Sequence, residues 1–148
     1  MDARVLTRQK SRKSQRGAAA LEFALVVPIL IVFVFGIVDF GLMINSQAVF
    51  ANASRDAARA GSFGGTLSDI QGVVTNETSY LPNIGSVNTA VTCLKATGAA
   101  CGANYNTEKQ AGGTVIVTIT YVHQWLTPAL LGLPSTSTVT KISEMRIE

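Results

Sequence analysis

Side chains that could carry out chemistry are few and far apart in this sequence of 148 residues. Its single histidine, His123, has no Cys-x-x-Cys pair to join it in a zinc site. There is also no glycine-rich phosphate loop and no cluster of carboxylates, so nucleophilic, metal and acid–base catalysis lack their usual residues. We therefore expect a protein that is not an enzyme and uses no cofactor, metal or small-molecule substrate, with His123 in a structural role.

The two cysteines, Cys93 and Cys101, are separated by seven residues that include Gly98. In an oxidising compartment they would form a disulfide, since small exported domains commonly use such bonds to compensate for a small core. Closing a loop of this length would contribute about 2.5 kcal/mol in the chain-entropy model. Metal binding is the alternative for a cysteine pair, but here the further ligands are missing.

Charge is concentrated at the N-terminus, where residues 1–16 contain six Lys and Arg and one Asp. The rest of the chain has a small excess of carboxylates, so the net charge of +3 describes this leader rather than a folded surface. The leader has no aromatic residue, whereas nucleic-acid-binding surfaces place aromatic residues among their basic ones. We therefore expect no nucleic-acid partner.

The segment that follows the leader, Ala18–Val38, is apolar except for one charge, Glu22. At about 1.5 Å per helical residue, it is long enough to cross the hydrocarbon core of a bilayer. The basic flank on one side, with no Lys or Arg on the other until Arg55, places the N-terminus in the cytoplasm. We expect a single-pass protein of the cytoplasmic (inner) membrane, in contact with lipid, whose C-terminal domain is periplasmic or extracellular. A buried helix in a soluble protein would not need this basic flank.

Three polar or helix-breaking residues interrupt or border the apolar segment. Glu22 would cost about 2–3 kcal/mol if left unpaired at depth, so it is a functional candidate. The alternative is that Glu22 lies near the headgroups and reaches water at little cost. Pro28 is expected to bend or loosen the helix, because it cannot donate a backbone hydrogen bond. Asp39 is expected to be a solvated charge at the outer interface.

Three blocks of sequence occur in order along the first part of the chain. They are Gly-Ala-Ala-Ala-Leu-Glu-Phe-Ala-Leu-Val-Val-Pro-Ile-Leu from Gly17, Phe-Gly-Ile-Val-Asp-Phe-Gly from Phe35, and Ala-Ser-Arg-Asp-Ala-Ala-Arg-Ala-Gly from Ala53. Together they resemble the TadE-like pseudopilins of tight-adherence (Tad, or Flp-type) pilus systems. The basic leader followed by Gly, four small or apolar residues, Glu and Phe also looks like the class III signal of type IV pilins. The resemblance covers residues 16–61 and is weak beyond them.

The resemblance implies that a membrane-embedded aspartic prepilin peptidase cleaves the chain between Gly17 and Ala18. In pilin-like assemblies the Glu that follows the cut is thought to pair with a freed N-terminal amine. Carried over, this assigns Glu22, which Phe23 follows, to pairing with the Ala18 amine of the same or a neighbouring subunit. The partners implied are the peptidase, other pilin-like subunits and the Tad inner-membrane assembly proteins.

Nothing in the sequence ends the membrane helix at Met43, and the first strong helix breakers are Gly61 and Gly64-Gly65. We therefore expect one helix over residues 18–61, after a basic leader at 1–17. Its outer half has an apolar line that should pack mainly against the chain's own globular part, with subunit contacts as the alternative. This line comprises Phe40, Ile44, Gln47, Phe50/Ala51, Ser54 and Ala57/Ala58.

Residues 62–148 are expected to form a small extracytoplasmic domain. Helical spacing before Pro82 predicts a short helix over Thr66–Tyr80, capped by Thr66 or Ser68. The segment Trp125–Pro134 is too apolar for a solvated loop, so it should fold back on the sheet, touch the membrane or contact a partner. Alternating and β-rich stretches predict strands. They cover Gly85–Leu94, Thr114–Val122 and Ser135–Ile147.

The predicted fold class is α+β and pilin-like, with a long N-terminal transmembrane helix before a short helix and an antiparallel sheet. The leading function is that of a minor pilin-like subunit, processed after Gly17, in the assembly of a Tad-type adhesion pilus. The alternative is an unprocessed single-pass protein whose outer domain binds a partner or a surface. A third possibility is a membrane-retained scaffold of the same machine. Whether the subunit would enter the filament, cap it or remain at its base is left open.

Overall fold

The computed structural model describes residues 7–82, 84–130 and 132–148. The chain divides into two compact units, one ending at Val38 and the other covering Asp39–Glu148. A long apolar helix, short helices and an antiparallel sheet confirm the predicted α+β class. In chain order the elements are α1 (Thr7–Ser62), α2 (Leu67–Thr78), β1 (Ile84–Leu94), α3 (Tyr105–Glu108), β2 (Thr114–Gln124), α4 (Leu126–Leu130) and β3 (Thr136–Arg146).

The first unit consists of the N-terminal part of α1, which begins at Thr7, before the predicted start at residue 18. Pro28 lies inside this helix. Within the described residues one helical stretch, Gly17–Ser62, is long and apolar enough to span a membrane, and its most apolar window is 0% buried. Apolar side chains that face outward all round a helix are expected when the surrounding solvent is lipid. The exposed ones include Leu21, Phe23, Leu25, Val26, Ile29, Leu30, Phe33 and Ile37.

The second unit is built on a three-stranded antiparallel sheet with the order β1-β2-β3. Strand β2 is central, so that Val117 pairs with Val91 on one side and with Ser143 on the other. The alternating pattern predicted for this strand is confirmed, because every second side chain is fully buried. The buried series is Val115, Val117, Ile119, Tyr121 and His123.

The outer part of α1 packs across this buried face of the sheet. The ring of Phe50 stacks on that of Tyr121, with the centroids 3.8 Å apart and the planes 12° from parallel. Further along, Ala53, Ala57 and Ala58 are fully buried, and such small side chains allow the helix to approach the strands closely. The predicted packing of the apolar line on the chain's own domain is confirmed from Phe50 onward.

The predicted line is wrong nearer the membrane, where Phe40 and Ile44 are 59% and 54% exposed. The buried face there contains Asp39 and Ser46 instead. Ser46 donates its hydroxyl to the carbonyl of Leu42, 2.9 Å away, so its burial does not leave that donor unpaired. Apolarity alone therefore identified the wrong face of this part of the helix.

Three elements meet α1 at Gly61, close to its C-terminus. A Cβ at this position would lie 2.9 Å from Val115 Cγ2 on β2 and 3.1 Å from both Ile70 Cδ1 on α2 and Tyr105 Oη on α3. The Tyr105 hydroxyl also donates to the Gly61 carbonyl at 3.4 Å. Glycine is needed at this position because there is no room for a side chain. The helix ends one residue later, at Ser62.

A capping box starts α2, and it confirms Thr66 rather than Ser68 as the cap. The Thr66 hydroxyl accepts from the backbone N–H of Asp69 at 3.2 Å, and the Asp69 carboxylate accepts from the Thr66 N–H at 2.9 Å. These reciprocal bonds satisfy donors that a helix start leaves unpaired. The helix then buries Ile70 and Val74 against the core.

A disulfide joins Cys93, at the end of β1, to Cys101 in the following loop, which confirms the predicted pairing. The same loop is held by the backbone, since the N–H of Cys101 donates to the Cys93 carbonyl at 2.8 Å. Glu108 accepts from the Gly102 N–H at 2.7 Å and lies 3.6 Å from the Lys95 ammonium. The disulfide therefore lies within a loop that has its own hydrogen bonds.

Candidate functional site in the membrane helix and at its outer end

Gly17 and Ala18 are consecutive residues inside α1. A Cβ built on Gly17 would meet no heavy atom within 4 Å. In contrast to Gly61, packing within the described chain therefore gives no reason for a glycine at position 17. A glycine would be needed at position 17 if another protein had to approach the backbone closely there.

Glu22 is exposed and lies four residues after Ala18 on the same helix. Residues four apart share one face of a helix, so the carboxylate and the backbone of Ala18 lie one above the other. Glu22 forms no ion pair with any side chain that the structure describes. Among those side chains the one ion pair is Lys95–Glu108. Its neighbour Phe23 is exposed as well. An acidic group on an apolar helix is thus available to a partner outside the chain.

Asp39 contradicts the expectation of a solvated boundary charge, because it is only 2% exposed. Its Oδ1 accepts from the backbone N–H of Leu126 at 3.1 Å and its Oδ2 from that of Thr127 at 2.7 Å. These two N–H groups start α4, where no intrahelical acceptor exists for them. The carboxylate acts as a cap supplied by a distant part of the chain. No local signal in the sequence could reveal this, since the partners are separated by 87 and 88 positions.

His123 is fully buried on β2, as expected of a structural histidine. Its ring packs edge-on against Trp125, with the centroids 4.8 Å apart. Neither ring nitrogen has a hydrogen-bond partner among the described residues. Burial lowers the pKa of His123, while the negative charge of Asp39 opposes this shift. The imidazole is therefore held in its neutral form at neutral pH.

The apolar segment Trp125–Pro134 folds back on the sheet at Trp125, and folding back was one of the three predicted possibilities. The Trp125 N–H donates to the Ser135 carbonyl at 2.6 Å, and its indole N–H donates to the Ser137 hydroxyl at 3.1 Å. The segment is only partly buried, because Leu126 is 46% exposed and Leu133 is 57% exposed. A part of the segment thus remains open to contact with something else.

The position of Ser54 gives a second polar contact that sequence reasoning missed. Its hydroxyl lies 2.8 Å from that of Ser143 on β3 and also donates to the Ala51 carbonyl at 3.0 Å. Ser54 appeared in the predicted packing line, but its partner belongs to a strand 89 positions away. Within the described chain, no three His, Cys, Asp or Glu side chains come together as metal ligands would.

An apolar helix that is long enough to span a membrane, followed by a small antiparallel-sheet domain, fits a single-pass membrane protein. The family model of TadE-like proteins matches residues 17–59 of this chain. This is the region whose sequence blocks carry the resemblance, and it includes Gly17, Glu22 and Asp39. The resemblance to the TadE-like pseudopilins is therefore confirmed over that stretch, which is less than a third of the chain. No curated protein and no solved structure matches the chain significantly.

Proposed function

We propose that this protein is a minor pilin-like subunit that takes part in assembling a Tad-type adhesion pilus. A prepilin peptidase removes the basic leader by cleaving between Gly17 and Ala18. The single observation that carries the proposal is the match of residues 17–59 to the TadE-like family, which begins at the glycine of the cleavage site.

In this proposal the leader lies in the cytoplasm, the apolar helix crosses the inner membrane and the sheet domain is on the outer side. The basic residues of the leader favour the cytoplasmic face, and the disulfide between Cys93 and Cys101 fits an oxidising compartment. The protein acts as a structural subunit and not as an enzyme. Its partners are lipid, the peptidase, other pilin-like subunits and the Tad assembly proteins of the inner membrane.

The role of Glu22 follows from cleavage. Hydrolysis of the Gly17–Ala18 bond leaves an amine on Ala18, one helical turn from the carboxylate. At low dielectric an ammonium and a carboxylate attract each other strongly, and the pair offsets the cost of placing either charge in lipid. When the amine belongs to a neighbouring subunit, the pair fixes how far one helix is displaced along the other.

The proposal is tested by N-terminal sequencing of the protein extracted from membranes of cells with and without an active prepilin peptidase. Ala18 is expected as the first residue only when the peptidase is active. Gly17→Arg should leave the full-length chain uncleaved. Gly72→Arg is the matched control, because a Cβ at Gly72 also meets nothing within 4 Å but the residue lies in the sheet-bearing domain.

A chain that keeps its leader in cells with active peptidase would contradict the proposal. The protein would then be a permanently anchored single-pass protein whose outer domain binds a partner or a surface. Normal processing of Gly17→Arg would contradict the assigned cleavage site.

A further inference from the structure

The segment Trp125–Pro134 carries no charged residue and exposes two leucines, Leu126 and Leu133. Exposed apolar residues on adjoining turns of chain mark a surface that contacts something other than water. The position of the segment is fixed by Asp39, whose carboxylate holds the N–H groups of Leu126 and Thr127.

Asp39 sets the depth of this segment relative to the bilayer. It follows directly after Val38, the end of the apolar stretch, and it is the first charged residue after Glu22. The 21 residues of Ala18–Val38 span about 31 Å as a helix, which is about the thickness of the hydrocarbon core, so the next residue lies near the level where hydrocarbon gives way to headgroups. Since α4 begins within hydrogen-bond distance of that carboxylate, α4 lies at the same level.

Five backbone N–H groups in the described part of the segment are bonded within the chain, which suits a water-poor environment. The N–H groups of Gly132 and Leu133 donate to the carbonyls of Ala129 and Pro128 at 3.1 and 2.9 Å. The N–H of Trp125 donates to the Ser135 carbonyl, and those of Leu126 and Thr127 donate to the Asp39 carboxylate. These N–H groups therefore do not need water as an acceptor. An unsatisfied N–H in a lipid environment would cost several kcal/mol, which is why only internally bonded backbone enters it.

We propose that the segment Trp125–Pro134 is a second membrane contact, which inserts Leu126 and Leu133 into the outer leaflet at the boundary between headgroups and acyl chains. Trp125 suits this depth, since tryptophan is enriched at membrane interfaces. The occupant of the surface is lipid rather than a protein partner, because the uncharged segment is bonded to Asp39, the residue that directly follows the apolar membrane-spanning stretch in the sequence. The sheet domain is thereby held against the membrane surface by more than its covalent anchor.

The proposal goes beyond the pilin-like function and does not depend on it. Both a processed subunit and an uncleaved anchored protein would keep the helix in the membrane and the segment at its surface. A failure of cleavage would therefore leave this inference untouched, and a failure of lipid contact would leave the pilin-like function untouched.

Trp125 is the only tryptophan of the chain, so its fluorescence reports on this segment alone. The full-length protein is reconstituted into phosphatidylcholine–phosphatidylglycerol vesicles whose acyl chains carry bromine either near the carbonyl or near the methyl end. We expect bromine near the carbonyl to quench Trp125 fluorescence more strongly than bromine near the methyl end. Fluorescence that is equal in brominated and bromine-free vesicles would overturn the proposal.

The double variant Leu126→Asp, Leu133→Asp should lose most of this quenching, because it places two charges where the apolar side chains enter the leaflet. Ile142→Asp is the control, since Ile142 is an exposed aliphatic residue on β3, outside the segment, and it should retain the quenching. Urea unfolding of both variants checks that the domain is folded. If emission instead depends on the protein-to-lipid ratio and not on bromine, a second copy covers the segment and the proposal is wrong.

Discussion

The rings of Phe50 and Tyr121 lie face to face with centroids 3.8 Å apart, and both side chains are fully buried. This contact joins the outer half of α1 to the central strand of the sheet. It belongs to a core that also contains buried alanines of α1, Ile70 and Val74 of α2, and the buried Val and Ile residues of β2.

Phe50→Ala should therefore lower the free energy of unfolding of the outer domain by about 3–5 kcal/mol, the range for removing a buried aromatic ring. The measurement is urea unfolding of the detergent-solubilised protein, followed by Trp125 fluorescence. Phe63→Ala is the control, because Phe63 is largely exposed and its loss should change stability only slightly. Similar effects of the two substitutions would contradict the assigned packing.

Asp39→Asn should open the start of α4. The amide offers one acceptor oxygen instead of two and leaves one of the N–H groups of Leu126 and Thr127 unpaired, at a cost of about 1–3 kcal/mol. Hydrogen exchange of these two amides should become faster. Asp69→Asn is the control, since it weakens the cap of α2 and should leave exchange in α4 unchanged. Unaltered exchange at Leu126 and Thr127 in Asp39→Asn would refute the capping role.

The domain should become less stable as the pH falls below the ordinary His pKa of about 6.5. Burial lowers the pKa of His123 in the folded state, so the unfolded chain binds the proton first and is favoured on acidification. The free energy of unfolding, measured at several pH values across this range, should decline. In His123→Leu, which cannot titrate, the decline should be smaller.

Glu77 has the opposite effect on the pH dependence of stability, so it must be considered when the unfolding measurements are interpreted. Burial raises the pKa of Glu77, and the neighbouring Asp56 raises it further. A carboxyl group whose pKa is raised on folding adds stability as it becomes protonated, so it opposes the effect of His123 at the acidic end of the range. Glu77 is present in both the unaltered protein and His123→Leu. Its contribution therefore cancels when the slopes of their unfolding free energies against pH are compared. Identical slopes would show that His123 is not responsible.

The disulfide should contribute about 2.5 kcal/mol to the outer domain, as expected for closing a short loop. Cys93→Ala, Cys101→Ala should lower the free energy of unfolding by this amount. Reductant should destabilise the unaltered protein similarly and have no effect on the double variant. Two free thiols in the exported protein, detected by mass spectrometry, would contradict both the bond and an oxidising location.

Glu22→Val should be inserted and cleaved normally but should fail to support pilus assembly, because the Ala18 amine loses its carboxylate partner. Processing is followed by N-terminal sequencing and assembly by counting pili on cells that carry the variant. Leu25→Val is the control, as Leu25 is an exposed apolar residue of the same helix segment. Full piliation with Glu22→Val would exclude a pairing role.

The long helix α1, the short helix α2 and the three strands were predictable because each has a local cause, whereas the short helices α3 and α4 were not predicted. Alternation predicted β2, and the two candidate caps, Thr66 and Ser68, indicated the start of α2 by their position before an apolar helical pattern. The pairing of Cys93 with Cys101 needed only their spacing and the expected compartment. These features depend on residues that are near one another in the sequence.

The errors arose where a polar residue is buried by a distant partner. Asp39 looked like a solvated charge because nothing close to it in the sequence calls for a carboxylate, and its two partners are on α4. The buried face of α1 was also misplaced near Phe40, where apolarity favoured the exposed side of the helix. Tertiary hydrogen bonds overrode the hydrophobic pattern at Asp39, whereas the buried Ser46 bonds only to Leu42 of its own helix.

Gly61 has a consequence for how this sequence can change over generations. Side chains of three different elements fill the space that a Cβ at position 61 would need. They are Val115, Ile70 and Tyr105. An alanine there would be accepted only if volume were removed from these neighbours in the same lineage. Substitutions at the four positions should therefore occur together in related proteins, so these positions should covary strongly.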